Sequence, residues 1–301
     1  MVDVVEQGGT TRRGAEVLGQ LDPQAPAPLG PTSLVRRVAA EPVTALLVQR
    51  ALVMEVAHPK VAAGVAEHSS FRSRPLSRAW VTADAALRLV FGDPATARGA
   101  VHQIYRTHDR IQGTLSPGGD PYTAHDATLL RWVWATLVDT AEVAWTRWVR
   151  PFEPEHAAAF YGEMVALARF LGIPGELLPA DHEAFRAYLD SVLDGSELGS
   201  TRAALEVARQ VLWFRHPLVP PPVVRLERSL ALATLDPRVL ERLELDPSSA
   251  DARLGRRLDA LLGEHYRRLP RWRAAPAPVY LALRRPTIGL RRRLRTATRA
   301  A

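Results

Sequence analysis

The sequence predicts an all-α protein of about ten helices around one core. Three observations carry this expectation. Apolar residues recur at steps of three and four along most of the chain, alternating β-branched runs are scarce, and Asp or Pro stands where many of these segments begin. No strand is expected.

Taken in order, residues 1–32 are polar and end in the Pro-rich run 24–31, so an N-terminal segment of little order is expected there. A helical domain is expected over 33–275 and a basic tail over 276–301. Glu41-Pro42 opens an apolar helix over 43–57, stopped by His58-Pro59. A short helix over 61–68 leads to a polar loop. Pro75 starts a helix that Gly92 ends after Phe91. Asp93 and Pro94 then suit the cap and first position of the next helix, with Gly113 as its exit. A Gly/Pro loop follows at 116–122. Asp126 caps a long aromatic helix over 127–149, whose inward stripe is Trp134, Val138, Ala141, Trp145 and Trp148. Further helices are predicted at 154–171, 182–194, 198–214, 221–234, 237–245 and 251–268, with Asp181, Asp236 and Asp251 as caps.

Composition excludes several chemistries. The chain of 301 residues has no cysteine, which rules out disulfides, thiolate nucleophiles, iron–sulfur clusters and thiolate-ligated haem. Any metal must be held by His, Asp, Glu or Tyr. Residues 256–301 hold 13 arginines against Asp259 and Glu264, so this segment exceeds the whole chain's net charge of +7 and the remainder is mildly acidic. The basicity is therefore a feature of the C-terminal end, and no nucleic-acid partner is expected. A solvated end of the fold is the favoured reading of the tail, and a weak membrane-surface contact the alternative. No apolar run approaches the length of a membrane span, and Arg12-Arg13 lacks the apolar segment of a twin-arginine signal. A cytoplasmic protein is expected.

Ala97, Val101, Ile104, His108 and Ile111 fall on one helix face. His108 in such a stripe is either a satisfied core residue or a ligand. Arg78 and Thr82 are four apart on the preceding helix and share a face, where a guanidinium and a hydroxyl suit an anionic group or dioxygen. Glu55-x-x-His58 and Glu153-x-x-His156 have the spacing of di-iron carboxylate bundles. Pro154 lies inside the second motif, so Glu153 suits a cap better than a ligand. The chain has no Gly-rich phosphate loop, HExxH pair or Gly-x-Ser-x-Gly elbow.

The run from Ala57-His58-Pro59-Lys60 to Phe71-Arg72-Ser73-Arg74-Pro75 is followed by Arg78-x-x-x-Thr82, Phe91-Gly-Asp-Pro and His108-x-x-x-x-Gly113. Pro121-Tyr-x-Ala-x-Asp126, Leu130-x-Trp-Val, Phe160-Tyr, Leu171-Gly-Ile-Pro and Phe185-Arg-x-Tyr-Leu continue the series. In order and spacing these resemble the family once called domain of unknown function 2236, which includes the rubber oxygenases (latex clearing proteins) and the MpaB-type oxygenases. The resemblance covers roughly residues 40–290. It implies a globin-related helical core binding haem b. The iron ligand of that family falls on His108, and its haem-facing pair on Arg78 and Thr82. The chain departs from it at Val81, where rubber-cleaving members carry a lysine, and at Trp134, where many members carry histidine. Trp134 either packs on the porphyrin or fills the pocket. Glu55 and Glu67 are the candidates for a distal base.

The resemblance thus implies a haem-dependent oxygenase that uses dioxygen on an apolar or lipid-like small molecule, with cleavage of a carbon–carbon double bond as the candidate reaction. Its iron would be held by His108, with Arg78 and Thr82 as catalytic groups and Trp134 at the cofactor. Two alternatives stand beside it: a non-haem di-iron oxidase, and a non-enzymatic helical ligand-binding module.

Overall fold

The computed structural model describes residues 29–69, 74–116 and 118–270. The expectations for residues 1–28 and for the basic tail 276–301 lie outside the described residues. The described chain forms thirteen α-helices and one small hairpin, so the all-α class holds. The helices are α1 (Leu34–Ala40), α2 (Pro42–Ala45), α3 (Val48–Val56), α4 (Pro59–His68), α5 (Pro75–Phe91), α6 (Pro94–His108), α7 (Ala127–Ala144), α8 (Pro154–Phe170), α9 (His182–Asp194), α10 (Arg202–Leu212), α11 (Pro221–Thr234), α12 (Pro237–Arg242) and α13 (Ser249–His265). Among the described residues, no helix is long and apolar enough to cross a membrane.

The start signals work as their chemistry requires. Asp93, Asp126, Asp181 and Asp236 each accept a hydrogen bond from a main-chain N–H of the first turn they precede. Proline stands at the first positions of α2, α4, α5, α6, α8, α11 and α12, where its missing N–H costs nothing. Four expectations are corrected. The apolar stretch 43–57 is two helices, because Leu46 and Leu47 bond back to Val43 and Thr44 in tighter i→i+3 turns. This break accompanies the full burial of Leu47 against Trp148 and Leu230. Helix α1 was not expected. Its first turn is held from outside, by the Glu163 carboxylate of α8 accepting from Ser33, Leu34 and Val35. The cap of α13 is Ser248, while Asp251 is buried in the first turn and paired with Arg225 and Arg228.

The fourth correction bears on the site. Helix α6 ends at His108 rather than near Gly113. Residues 112–114 (β1) instead pair antiparallel with 121–123 (β2), Gly113 opposite Tyr122. A Cβ at Gly113 would lie 2.7 Å from the Tyr122 hydroxyl, so the glycine permits a close strand crossing rather than a helix exit.

Helix α7 organises the interior. Trp132 packs with α3, α4 and α9–α12, Trp134 and Val138 pack with α1, α5, α6, α8 and α9, and Ala144 with the following Trp148 packs with α2, Leu230 and Tyr266. The expected stripe of α7 is thus inward, and it continues through a single π-turn at Trp145–Val149. A buried pair reinforces it: Arg50 of α3 donates to Asp139 of α7 at 2.6 Å and to Thr140 at 2.7 Å. At the far side α11 and α13 cross so closely that a Cβ on Gly255 would stand 2.2 Å from the Ser229 carbonyl.

Candidate functional site

Three helices bring the chemistry-bearing side chains together. Helix α6 carries the stripe read from the sequence. Ala97 and Val101 are buried, while Ile104, His108 and Ile111 are partly buried. His108 is the last helical residue, at the point where the chain turns into β1. Burial pushes its imidazole down to about 4, and His125 and Arg78 push the same way, while Asp109 and the backbone of Ala124 oppose. His108 is therefore a neutral imidazole at pH 7. Its Nδ1 is buried without a hydrogen-bond partner. A neutral imidazole with an uncommitted nitrogen is what an iron ligand needs, so the residue fits that role chemically.

Helix α5 supplies Arg78 and Thr82. The sequence expectation of a shared face is met in the structure: the Arg78 guanidinium donates to the Thr82 hydroxyl, which in turn donates to the Arg78 carbonyl at 3.0 Å. Arg78 Nε also donates to Ser69 at 3.3 Å. The middle of α5 has a feature of its own. Ala79, Trp80, Val81, Thr82 and Ala83 are all exposed in succession. A helix laid against a core buries one side of every turn. Here a whole turn is exposed on every side, and Trp80 and Val81 are among its exposed side chains.

Helix α3 supplies Glu55. Burial pushes its carboxyl up to about 7, and the Arg78 cation opposes that rise. Arg78 thus acts on both Glu55 and His108. Glu67, the other candidate for a base, is differently placed: it accepts a 2.5 Å hydrogen bond from Tyr122 and is half exposed. It anchors α4 to the hairpin. Trp134 is buried in the core, in one apolar cluster with Val101 and Tyr105. Its indole donates to the Met164 carbonyl at 3.0 Å, and its ring packs on Tyr161 and Phe185 between α7, α8 and α9.

The di-iron spacing does not assemble a metal cluster. Glu153 and His156 are exposed, and His58 Nδ1 accepts from the Lys60 N–H as the cap of α4. Among the described residues no three His, Asp or Glu side chains gather as a metal site. Two surface depressions, lined by residues such as Arg209, Trp213 and Glu244 or Pro237, Leu240 and Glu241, share no residue with the α3–α5–α6 cluster.

Sequence reasoning missed three neighbours of His108. His125 is 2% exposed, and its Nε2 lies 2.8 Å from Asp109 Oδ1. Its ring stacks on Tyr105 with centroids 5.2 Å apart and meets His108 edge-on at 6.0 Å. The signal was present. His125 occupies an unread position in Pro121-Tyr-x-Ala-x-Asp126, and Asp109 directly follows His108.

Comparison with curated proteins and with solved structures gave no match. A family model does match, over residues 35–264: the catalytic domain of the ER-bound oxygenase mpaB/B'/rubber oxygenase family. That span runs from α1 into α13 and includes α3, α5 and α6 entire, so the chain belongs to this family of oxygenase catalytic domains.

Proposed function

We propose that the protein is a haem b-dependent oxygenase acting with dioxygen on an apolar, lipid-like small molecule. The observation that supports this reading is that Arg78, bonded to Thr82, acts electrostatically on both a neutral His108 and a buried Glu55. His108 would hold the iron through its imidazole. Haem would supply the binding and activation of dioxygen that amino-acid side chains do not offer. Arg78 would orient an anionic or polarised group beside His108 and Glu55, with Thr82 keeping its guanidinium directed. Glu55, raised to about 7, is divided between its two forms at neutral pH and can take a proton from substrate or return it. Trp80 and Val81, 55% and 44% exposed, would give an apolar substrate a surface to leave water for. Trp134 would bound this side from the aromatic core behind α7. Oxidative cleavage of a carbon–carbon double bond is the reaction this set suits, with Glu55 as the proton acceptor.

The test is a visible spectrum. Protein produced with a haem precursor should show a Soret band, and His108→Ala should lose or shift it. A wild-type protein without that band, or a variant with the band unchanged, overturns the reading. Iron without porphyrin would favour a non-haem centre, and a colourless, metal-free protein a binding module.

A further inference from the structure

His125 takes no part in the chemistry above, yet it is the one fully buried histidine of the nine. A buried imidazole must place its N–H on a partner or lose the hydrogen bonds it had in water. Here Nε2 meets Asp109 Oδ1 at 2.8 Å, while Nδ1 is buried and unpartnered. A carboxylate accepts, so Nε2 carries a proton.

The position of Asp109 gives this bond its consequence. Asp109 follows His108 and closes α6, its N–H donating to the Tyr105 carbonyl at 2.9 Å. The bond to His125 therefore ties the loop before α7 to the turn that carries His108. Tyr105, one turn earlier, stacks on His125 and anchors its hydroxyl on the Leu171 carbonyl at 2.8 Å. The Ala124 N–H donates to Ile111 at 2.9 Å and closes the same loop. The His108 ring meets one side of this stack, with the His125 ring at 6.0 Å and the Tyr105 ring at 6.4 Å, each of the two fixed at a second point.

We propose that Asp109 and His125 form a positioning pair for His108, the carboxylate fixing His125 and the stacked His125 and Tyr105 rings backing one side of the His108 imidazole and holding its orientation. A carboxylate commonly orients a metal-bound histidine by bonding to it directly. Here the carboxylate acts through a second ring. The orientation of His108 is a property of the polypeptide, and only its use as an iron ligand rests on the proposed function.

The experiment has two arms. In haem-free, 15N-labelled protein, the His108 ring should show one sharp set of signals. Asp109→Asn and His125→Phe should each give split or broadened ring signals, while the backbone amide spectrum stays folded. Asp109 is 36% exposed and its substitution is isosteric, so at least one variant tests the pair without threatening the core. Unchanged His108 signals in both variants overturn the proposal. In haem-loaded protein, both variants should weaken haem binding about 10–100-fold and give a heterogeneous ligand-field spectrum. If His125→Phe abolishes haem binding while His108→Ala retains it, His125 is itself the ligand and the proposal fails. If the wild type takes up no haem, the iron-ligand reading fails, and the haem-free ring spectra still decide the positioning role.

Discussion

Trp132 donates its indole N–H to the main-chain carbonyl of Glu55 over 3.1 Å. The bond ties the turn of α3 that carries the candidate base to the central helix α7. Trp132 is 2% exposed and belongs to the largest apolar cluster, so the same side chain supplies both packing and registration. Trp132→Phe should lower stability by about 1–2 kcal/mol through loss of the hydrogen bond and part of the ring. Trp132→Ala should cost about 3–5 kcal/mol. Urea denaturation of both variants checks this ordering, and a Trp132→Phe variant as stable as wild type would show that the indole N–H contributes nothing.

The Arg78 cation holds both Glu55 and His108 below where burial and their other neighbours would leave them. Arg78→Gln should therefore raise both, Glu55 above about 7 and His108 above about 4. Carbon-detected titration of the Glu55 carboxyl and nitrogen-detected titration of the His108 ring read the two shifts. A variant in which neither group moves would separate Arg78 from the site.

Glu142 of α7 governs a pH dependence remote from His108. It is buried, with His182 Nε2 at 2.9 Å and Arg186 at 3.7 Å. Burial and the nearby Asp139 push it up to about 8, against the pull of Arg186. The unfolded chain releases this proton near 4.5 and the folded chain near 8, so stability falls as pH rises between those values. Glu142→Gln should remove that loss, and its stability relative to wild type should increase from pH 5 to pH 9. His108 acts in the opposite sense, costing stability as pH falls from 6.5 to about 4. Denaturation midpoints across this range are the measurement. A constant difference between wild type and Glu142→Gln would contradict the assignment.

Two glycines should respond with opposite signs to the same substitution. Gly255 lies where α13 crosses α11, and a Cβ there would meet the Ser229 carbonyl carbon at 3.0 Å, its oxygen at 2.2 Å and Ala233 at 2.8 Å. Gly255→Ala should destabilise by about 1–3 kcal/mol. Gly162 sits on the exposed side of α8 with nothing within 4 Å of a new Cβ, so Gly162→Ala should stabilise by about 0.5–1 kcal/mol. Calorimetric melting of the pair tests the close crossing directly.

The helices of this protein were legible because their signals are local. An Asp cap or a Pro at the first position acts within a few residues, and the stripe of Trp134, Val138, Trp145 and Trp148 is a periodicity of one helix. The breaks were not legible for the opposite reason. Helix α1 depends on Glu163, more than a hundred residues away, and Gly113 reads as a helix exit until Tyr122 is opposite it. The site divides in the same way. His108, Arg78 and Thr82 could be chosen by periodicity, spacing and family resemblance. The choice of Glu55 over Glu67 could not, because both are glutamates near helix ends and they differ only in what surrounds them. His125 was hidden altogether, since one histidine in a loop carries no period.

The sequence by itself therefore determined the helical class, most helix starts and the face of α6 that turns His108 inward, because these follow from dihedral preference, capping and the 3.6-residue repeat. Only the tertiary structure decided that the α6 face ends in a hairpin, that Arg78 acts on both Glu55 and His108, and that His125 meets the His108 ring. Those relationships join residues distant along the chain, and they arise from burial and close packing.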